Sequence, residues 1–252
     1  MSQVYGLHAV AALLANDPAR IRVLYVQRGR RDQRMGEIME TARSRGVRVE
    51  AAQRAWLDRR CGNAHQGVAA ECHDLAPVSD RELEARWAEL PAPHLLLVLD
   101  GITDPRNLGA CLRSANAAGV QAVLLPRRRS APLNDVALKT AAGGAEDLLV
   151  VEVANLARRL EWLKAQGVWI IGTDDAAELP WSDADLTVSC AIVVGSEGAG
   201  MRSLTARLCD TRVAIPMLGS VSSLNVSVAV GVLLFEAVRQ RRAALATGPA
   251  AP

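Results

Sequence analysis

"IVVGSEGAGM", Ile192–Met201, runs three apolar β-branched residues into a loop that holds three glycines and one carboxylate. Such a run reads as a strand buried on both faces that turns sharply toward a helix. Four other runs share the pattern: "HLLLVLDGI" from His94, "QAVLL" from Gln121, "VWIIGT" from Val168 and "TRVAIPM" from Thr211. Helical segments such as "LGACLRSANAAG" and "LARRLEWLKAQG" separate them. This alternation predicts an α/β domain with a parallel sheet over residues 94–243. Ligands of such sheets sit beyond the carboxyl ends of the strands, here the turns after Ile102, Thr173, Val194 and Pro216.

A glycine loop between strand and helix raises a nucleotide phosphate, and with it a dinucleotide-dependent oxidoreductase. The spacing here is G-x-x-G-x-G, the loop comes late in the domain, and Glu197 stands in its middle. A carboxylate within about 4–6 Å of a pyrophosphate repels it. S-adenosylmethionine, a sulfonium without phosphate, suits the loop better. The competing reading is that Glu197 only serves the N-terminus of its own helix.

Two further stretches carry unusual polarity. "IPMLGSVSSLNVSVAVG", Ile215–Gly231, crowds Ser220, Ser222, Ser223 and Asn225 before an apolar helix. One or two such residues suffice to cap a helix, so the excess is expected to serve a ligand. In "DGITDPRNLGACLRSANAAG", Pro105 and Asn107 are expected to stop the strand and start a helix at Leu108. Leu108, Cys111, Leu112 and Ala115 would form its buried stripe, with Arg113 off the stripe near the ligand-bearing end.

The first 60 residues hold 12 arginines against 6 acids, a basic α/β unit expected to bind RNA. Its elements are "YGLHAVAALLA" and "MGEIMETARSRG" as helices, and "IRVLYV" and "GVAAE" as strands. "APVSDRELEARWAELPAP", proline-flanked and dense in charge, reads as a linker over 76–93 with a short helix inside it. Residues 1–75 are therefore an N-terminal RNA-binding domain, and 244–252 a flexible tail. Five cysteines at irregular spacing fit a reducing cytoplasm. Cys61, His65, Cys72 and His73 cluster without a C-x-x-C pair, so no metal is expected. No signal peptide is read at the start, and no apolar run is long enough to predict a membrane span.

Together "DGITDPRNLGACLRSANAAG", "IVVGSEGAGM" and "IPMLGSVSSLNVSVAVGVLLFEAVRQR" resemble the three motifs of the SpoU branch of the SPOUT RNA methyltransferases. The resemblance extends to "PRRRSAPLNDVALKTAAGGAE", "YGLHAV" and "HQGVAA", and so covers nearly the whole chain. It implies a trefoil knot in the C-terminal sheet, a homodimer, and 2′-O-methylation of a guanosine ribose in 23S ribosomal RNA with S-adenosylmethionine as donor. It also implies cofactor contacts at Gly195, Ile215 and Leu224, with Thr173, Met217 and Gly198 lining the same pocket. The implied catalytic set is Asn107, Arg113, Glu197, Ser223 and Asn225. Leu149 departs from the proline common in similar sequences. A transfer-RNA methyltransferase of the same family, and a non-catalytic RNA-binding protein, are the rival readings.

Overall fold

The computed structural model describes residues 2–30, 32–73, 75–146 and 148–247. The chain divides into two units, Met1–Ala76 and Pro77–Pro252. In the first, β1 (Ser2–Tyr5), α1 (Leu7–Asn16), β2 (Ile21–Gln27), α2 (Gln33–Ser44), β3 (Val49–Ala52), α3 (Arg54–Cys61) and β4 (Val68–Cys72) follow one another. The sheet order is β1-β4-β2-β3, antiparallel except for the β2–β3 pair.

β4 is buried at every position because both faces of its sheet are covered. Val68, Ala70 and Cys72 join the core made with α1 and α2, while Ala69 meets Leu57 and Cys61 of α3. α3 carries too weak a pattern to be read from the sequence, for a physical reason. It buries only Leu57 and Cys61, a single i,i+4 pair among charged neighbours.

The second unit holds β5 (Val78–Ser79), α4 (Asp80–Arg86), β6 (Leu95–Asp100), α5 (Pro105–Ala117), β7 (Ala122–Pro126) and α6 (Asp135–Ala141). β8 (Leu149–Val153), α7 (Leu156–Ala165), β9 (Trp169–Thr173), β10 (Cys190–Gly195), α8 (Ser203–Leu208), β11 (Thr211–Val213) and α9 (Val226–Thr247) complete it. Its seven strands run in the order β11-β9-β10-β6-β7-β8-β5, every pairing parallel. The expected parallel α/β sheet is present, and β10 lies between β6 and β9 although it follows both in sequence.

Alternation along the strands builds two faces. Leu96, Val98, Leu124, Val151 and Val193 pack with Leu156, Leu160 and Leu163 of α7 and Leu83 of α4. α5 packs against α6 and α9. Gly109 permits one of these approaches: a Cβ there would lie 2.3 Å from the Ala137 carbonyl oxygen of α6. Leu149, which departs from the proline common in similar sequences, opens β8.

Segment 76–93, expected as a linker, is folded onto this second unit. β5 pairs with β8, and Leu83 is fully buried. The charge that made it read as solvated is the partner of a buried cation: Arg159 Nε donates to Asp80 at 2.8 Å and Nη2 to Glu84 at 2.8 Å. A buried guanidinium without carboxylates would be strongly unfavourable, so these acids are structural. The tail expected from residue 244 overlaps α9 as far as Thr247; its remainder lies outside the described residues. Among the described residues no helix is long and apolar enough to cross a membrane.

Candidate active site at the carboxyl edge of the sheet

β10 ends at Gly195, and the loop after it folds back on itself. Ser196 N donates to Gly200 O at 3.0 Å and Gly200 N to Ser196 O at 2.9 Å. A Cβ on Gly195 would sit 2.0 Å from the Gly200 carbonyl carbon, so the loop's own packing already requires glycine there. Gly198, at φ +77°, supplies the left-handed turn beside Glu197.

This fold-back aims Glu197 away from α8. Its Oε1 accepts from Asn225 Nδ2 at 2.7 Å, from Asn107 Nδ2 at 3.2 Å and from Val226 N at 3.3 Å. Asn225 Nδ2 also donates to Asn107 Oδ1 at 3.1 Å. The carboxylate thus serves the N-terminus of α9, and the reading in which it serves its own helix does not hold. Glu197 is exposed, and its second oxygen makes no hydrogen bond among the described residues.

α5 starts earlier than expected. Asp104 is its cap, accepting from Arg106 N at 2.9 Å, with Pro105 in the first helical position. Asn107 is therefore inside the first turn, and its amide is free to meet Glu197 rather than needed as a cap. The predicted stripe holds: Leu108, Cys111, Leu112 and Ala115 are all fully buried. Arg113 lies six residues beyond Asn107, roughly 240° around the axis, and outside the cluster. It is exposed, and among the described residues it makes no hydrogen bond or ion pair.

The hydroxyls before α9 divide unequally. Asn225 Oδ1 accepts from Ser227 N at 3.0 Å and Ser227 Oγ at 2.6 Å, so Asn225 and Glu197 together satisfy the helix start. Ser220, Ser222 and Ser223 are exposed and make no hydrogen bond among the described residues.

Next to the cluster opens a cleft of ≈ 580 Å³. Thr173, Gly195, Gly198, Ile215, Met217 and Leu224 all line it, with Glu197, Ser222 and Ser223 at its side. Asp174 and Asp175 line it too, Asp174 paired with Arg212 at 2.7 Å, and among the described residues no arginine, lysine or histidine is part of the lining. The sequence reading passed over these aspartates, although they directly follow Thr173 at the end of β9. It also passed over Asp100, fully buried at the end of β6, whose Oδ2 accepts from Arg202 N at 3.0 Å and ties down the far end of the glycine loop. The signal was available: one carboxylate closing the apolar run "LLLVLD".

Burial, with the Glu197 charge adding, pushes Cys111 up to about 12, and burial pushes Cys190 and Cys209 up to about 11. All five cysteines are free, and among the described residues no three metal-ligating side chains converge.

A model of the SpoU rRNA Methylase family matches residues 94–235. The chain belongs to that family. Every member of the cluster and every residue lining the cleft falls inside the matched span. A second model, for RNA 2′-O ribose methyltransferase substrate binding, matches residues 3–78. The 23S rRNA (guanosine-2′-O-)-methyltransferase RlmB of Photorhabdus laumondii is 49% identical over 239 residues, which is 94% of this chain and 98% of that one. The RlmB of Escherichia coli K12 is 47% identical over the same shares. Among solved structures, the SpoU methyltransferase AviRb from Streptomyces viridochromogenes in complex with AdoMet is similar at 26% identity and a TM-score of 0.75. That match covers 96% of this chain and 90% of that one.

Proposed function

We propose that this SpoU-family protein is an RNA methyltransferase that places a methyl group from S-adenosylmethionine on the 2′-oxygen of a guanosine ribose in 23S ribosomal RNA. The observation that carries the reading is Glu197, held by Asn107 and Asn225 at the edge of an acidic cleft with no basic side chain among its described lining residues. That charge fits a sulfonium and opposes the pyrophosphate of a dinucleotide. Thr173, Gly195, Gly198, Ile215, Met217 and Leu224 are the residues that would hold the donor. When bound, it supplies an electrophilic methyl carbon.

The chain's own part is to place an oxygen and manage its proton. Glu197 Oε1 is occupied by three donors, which fixes the carboxylate and leaves Oε2 to accept from the ribose hydroxyl. Asn107 and Asn225 set the orientation of that carboxylate. Ser223, exposed on the cleft wall and without an internal partner, positions the ribose. Arg113, a guanidinium near the ligand-bearing end of the sheet, serves as a phosphate anchor and stabiliser of developing negative charge.

The reading includes residues 1–75 as the substrate-recruiting domain, a knotted C-terminal sheet, a cytoplasmic location and a homodimer. For the dimer the support is apolar surface on α9, where Val228 and Phe235 are each 51% exposed. Titration calorimetry with S-adenosylmethionine, followed by transfer of its labelled methyl to a 23S rRNA transcript, tests the function. Saturable binding and a single 2′-O-methylguanosine are expected. Methyl transfer only to transfer RNA, or binding of a nicotinamide dinucleotide instead, would overturn it.

A further inference from the structure

A second cleft, of ≈ 460 Å³, lies at the carboxyl end of β7. Arg127, Arg128, Arg129 and Arg202 line it, and among the described residues no acidic side chain does. The arginine loop is pinned at both ends: Arg127 N donates to Val153 O at 2.9 Å, and Ala131 N to Ile102 O at 2.6 Å. Arg129 sits at φ 62°, a left-handed conformation that a residue with a side chain rarely adopts.

The charges are only partly answered. Arg127 reaches Glu152 at 3.7 Å and Arg202 reaches Asp100 at 3.4 Å, whereas Arg128 and Arg129 have no ion pair among the described residues. Guanidinium groups gathered this closely repel one another until an anion joins them.

The position is equally specific. A Cβ on Gly101 would lie 3.8 Å from Arg202 Nη2, 3.9 Å from the Arg129 carbonyl oxygen and 3.9 Å from Ser196 Cβ. The arginine cleft therefore adjoins the loop that carries Glu197. Residues 195–202 separate two clefts of opposite character, one acidic and one basic.

We propose that the arginine cleft grips the phosphodiester backbone of the RNA substrate beside the target nucleotide, an inference that rests on the function proposed above. Arginine forks bind phosphate bidentately, and such contacts fix register without reading sequence. Asp100 holds Arg202 N and faces its guanidinium, so the anchor for the RNA and the loop bearing Glu197 share one buried support. The cleft would set where along the strand the reactive ribose falls.

The test uses the full chain, a 23S rRNA transcript and a salt series. Arg127→Ala/Arg128→Ala removes two exposed side chains, and Arg127→Lys/Arg128→Lys keeps their charge. The alanine variant is expected to lose about tenfold or more in RNA affinity. Its slope of log affinity against log salt should fall by about 0.7–0.9 for each phosphate that is no longer neutralised. The lysine variant should keep the slope, and both should bind S-adenosylmethionine as the parent does. Unchanged RNA affinity and slope in the alanine variant would overturn the proposal. So would loss of guanosine 5′-monophosphate binding with RNA binding intact, since the cleft would then serve a free mononucleotide. Methyl transfer by the unmodified protein to the same transcript reports separately on the proposed function, because the salt slope is read without turnover.

Discussion

The two ends of the seven-stranded sheet use polar side chains in opposite ways. At the amino end, Arg241 donates to four carbonyl oxygens, those of Leu186, Pro93, His94 and Val188, at 2.7–2.9 Å. Gln121 Oε1 accepts from Leu95 N at 2.7 Å, and Ser189 Oγ accepts from His94 N at 3.0 Å. Side chains there are consumed by the backbone. At the carboxyl end, Asn107, Glu197 and Asn225 bond to one another as well as to the start of α9, and Arg113, Ser222 and Ser223 bond to nothing within the described chain. A polar group satisfied by its own backbone closes a fold, whereas one left with spare oxygens or N–H groups is available to a ligand.

Removing members of the open end should therefore affect reaction more than the fold. Glu197→Ala, Asn107→Ala and Arg113→Ala are expected to lower single-turnover methyl transfer by at least about a hundredfold; the unfolding midpoint should move little in the last two, while Glu197→Ala, whose lost carboxylate also serves the start of α9, should cost about 0.5–2 kcal/mol. Arg113 is the sharper case, because it stands outside the hydrogen-bonded cluster. A normal rate in Arg113→Ala would confine the reactive site to Asn107, Glu197 and Asn225.

The closed end should respond in the reverse sense. Arg241→Ala takes a donor from four carbonyls, of which that of His94 keeps Cys190 N, and a loss of about 2–3 kcal/mol in denaturant unfolding is expected, with near-normal turnover by the protein that remains folded. Comparable losses of rate and stability would erase the distinction between the ends.

Asn225 and Ser223 divide one turn between the two roles. Asn225→Ala removes a cap and should cost about 0.5–2 kcal/mol besides slowing transfer. Ser223→Ala should slow transfer with no measurable change in stability. Paired unfolding and kinetics on the same preparations check both.

The smallest expected effect is a pH dependence at the closed end. Burial holds the His94 imidazole below its ordinary value of 6.5; the Pro91 carbonyl opposes this, and the Arg241 charge adds to it. The unfolded chain thus binds its proton at higher pH than the folded one. The associated stability is complete above about 6.5 and is lost as pH falls toward the depressed folded value. His94→Gln should flatten that part of the stability profile, followed by denaturant midpoints between pH 7.5 and 5, about one unit or more on either side.

Much of this was legible because it is local. Apolar runs marked β6, β7, β9, β10 and β11, and 3.6-residue spacing marked the buried stripe of α5. The turns after Thr173 and Val194 were marked by the sheet pattern, whereas the residues proposed to hold the donor, such as Gly195 and Ile215, were named only through resemblance. Two kinds of feature stayed hidden. The short helix expected within 76–93 is present as α4, but β5 and the docking of α4 look like solvated linker until Arg159 is seen between Asp80 and Glu84, a partner more than 70 residues away. Likewise, nothing in "GSEGAGM" says that Glu197 serves α9 rather than α8, because the fold-back at Gly195 is decided by tertiary packing and not by composition.

Asn107 and Glu197 are separated by 90 residues, Asn107 and Asn225 by 118, and Glu197 and Asn225 by 28. During synthesis Asn107 emerges first, Glu197 follows just past the end of β10, and Asn225 is the last of the three to be made. On the proposed function, a nascent chain that has not yet reached Asn225 lacks one of the three side chains on which methyl transfer depends. Turnover measured on stalled chains of increasing length would date the moment at which folding is complete.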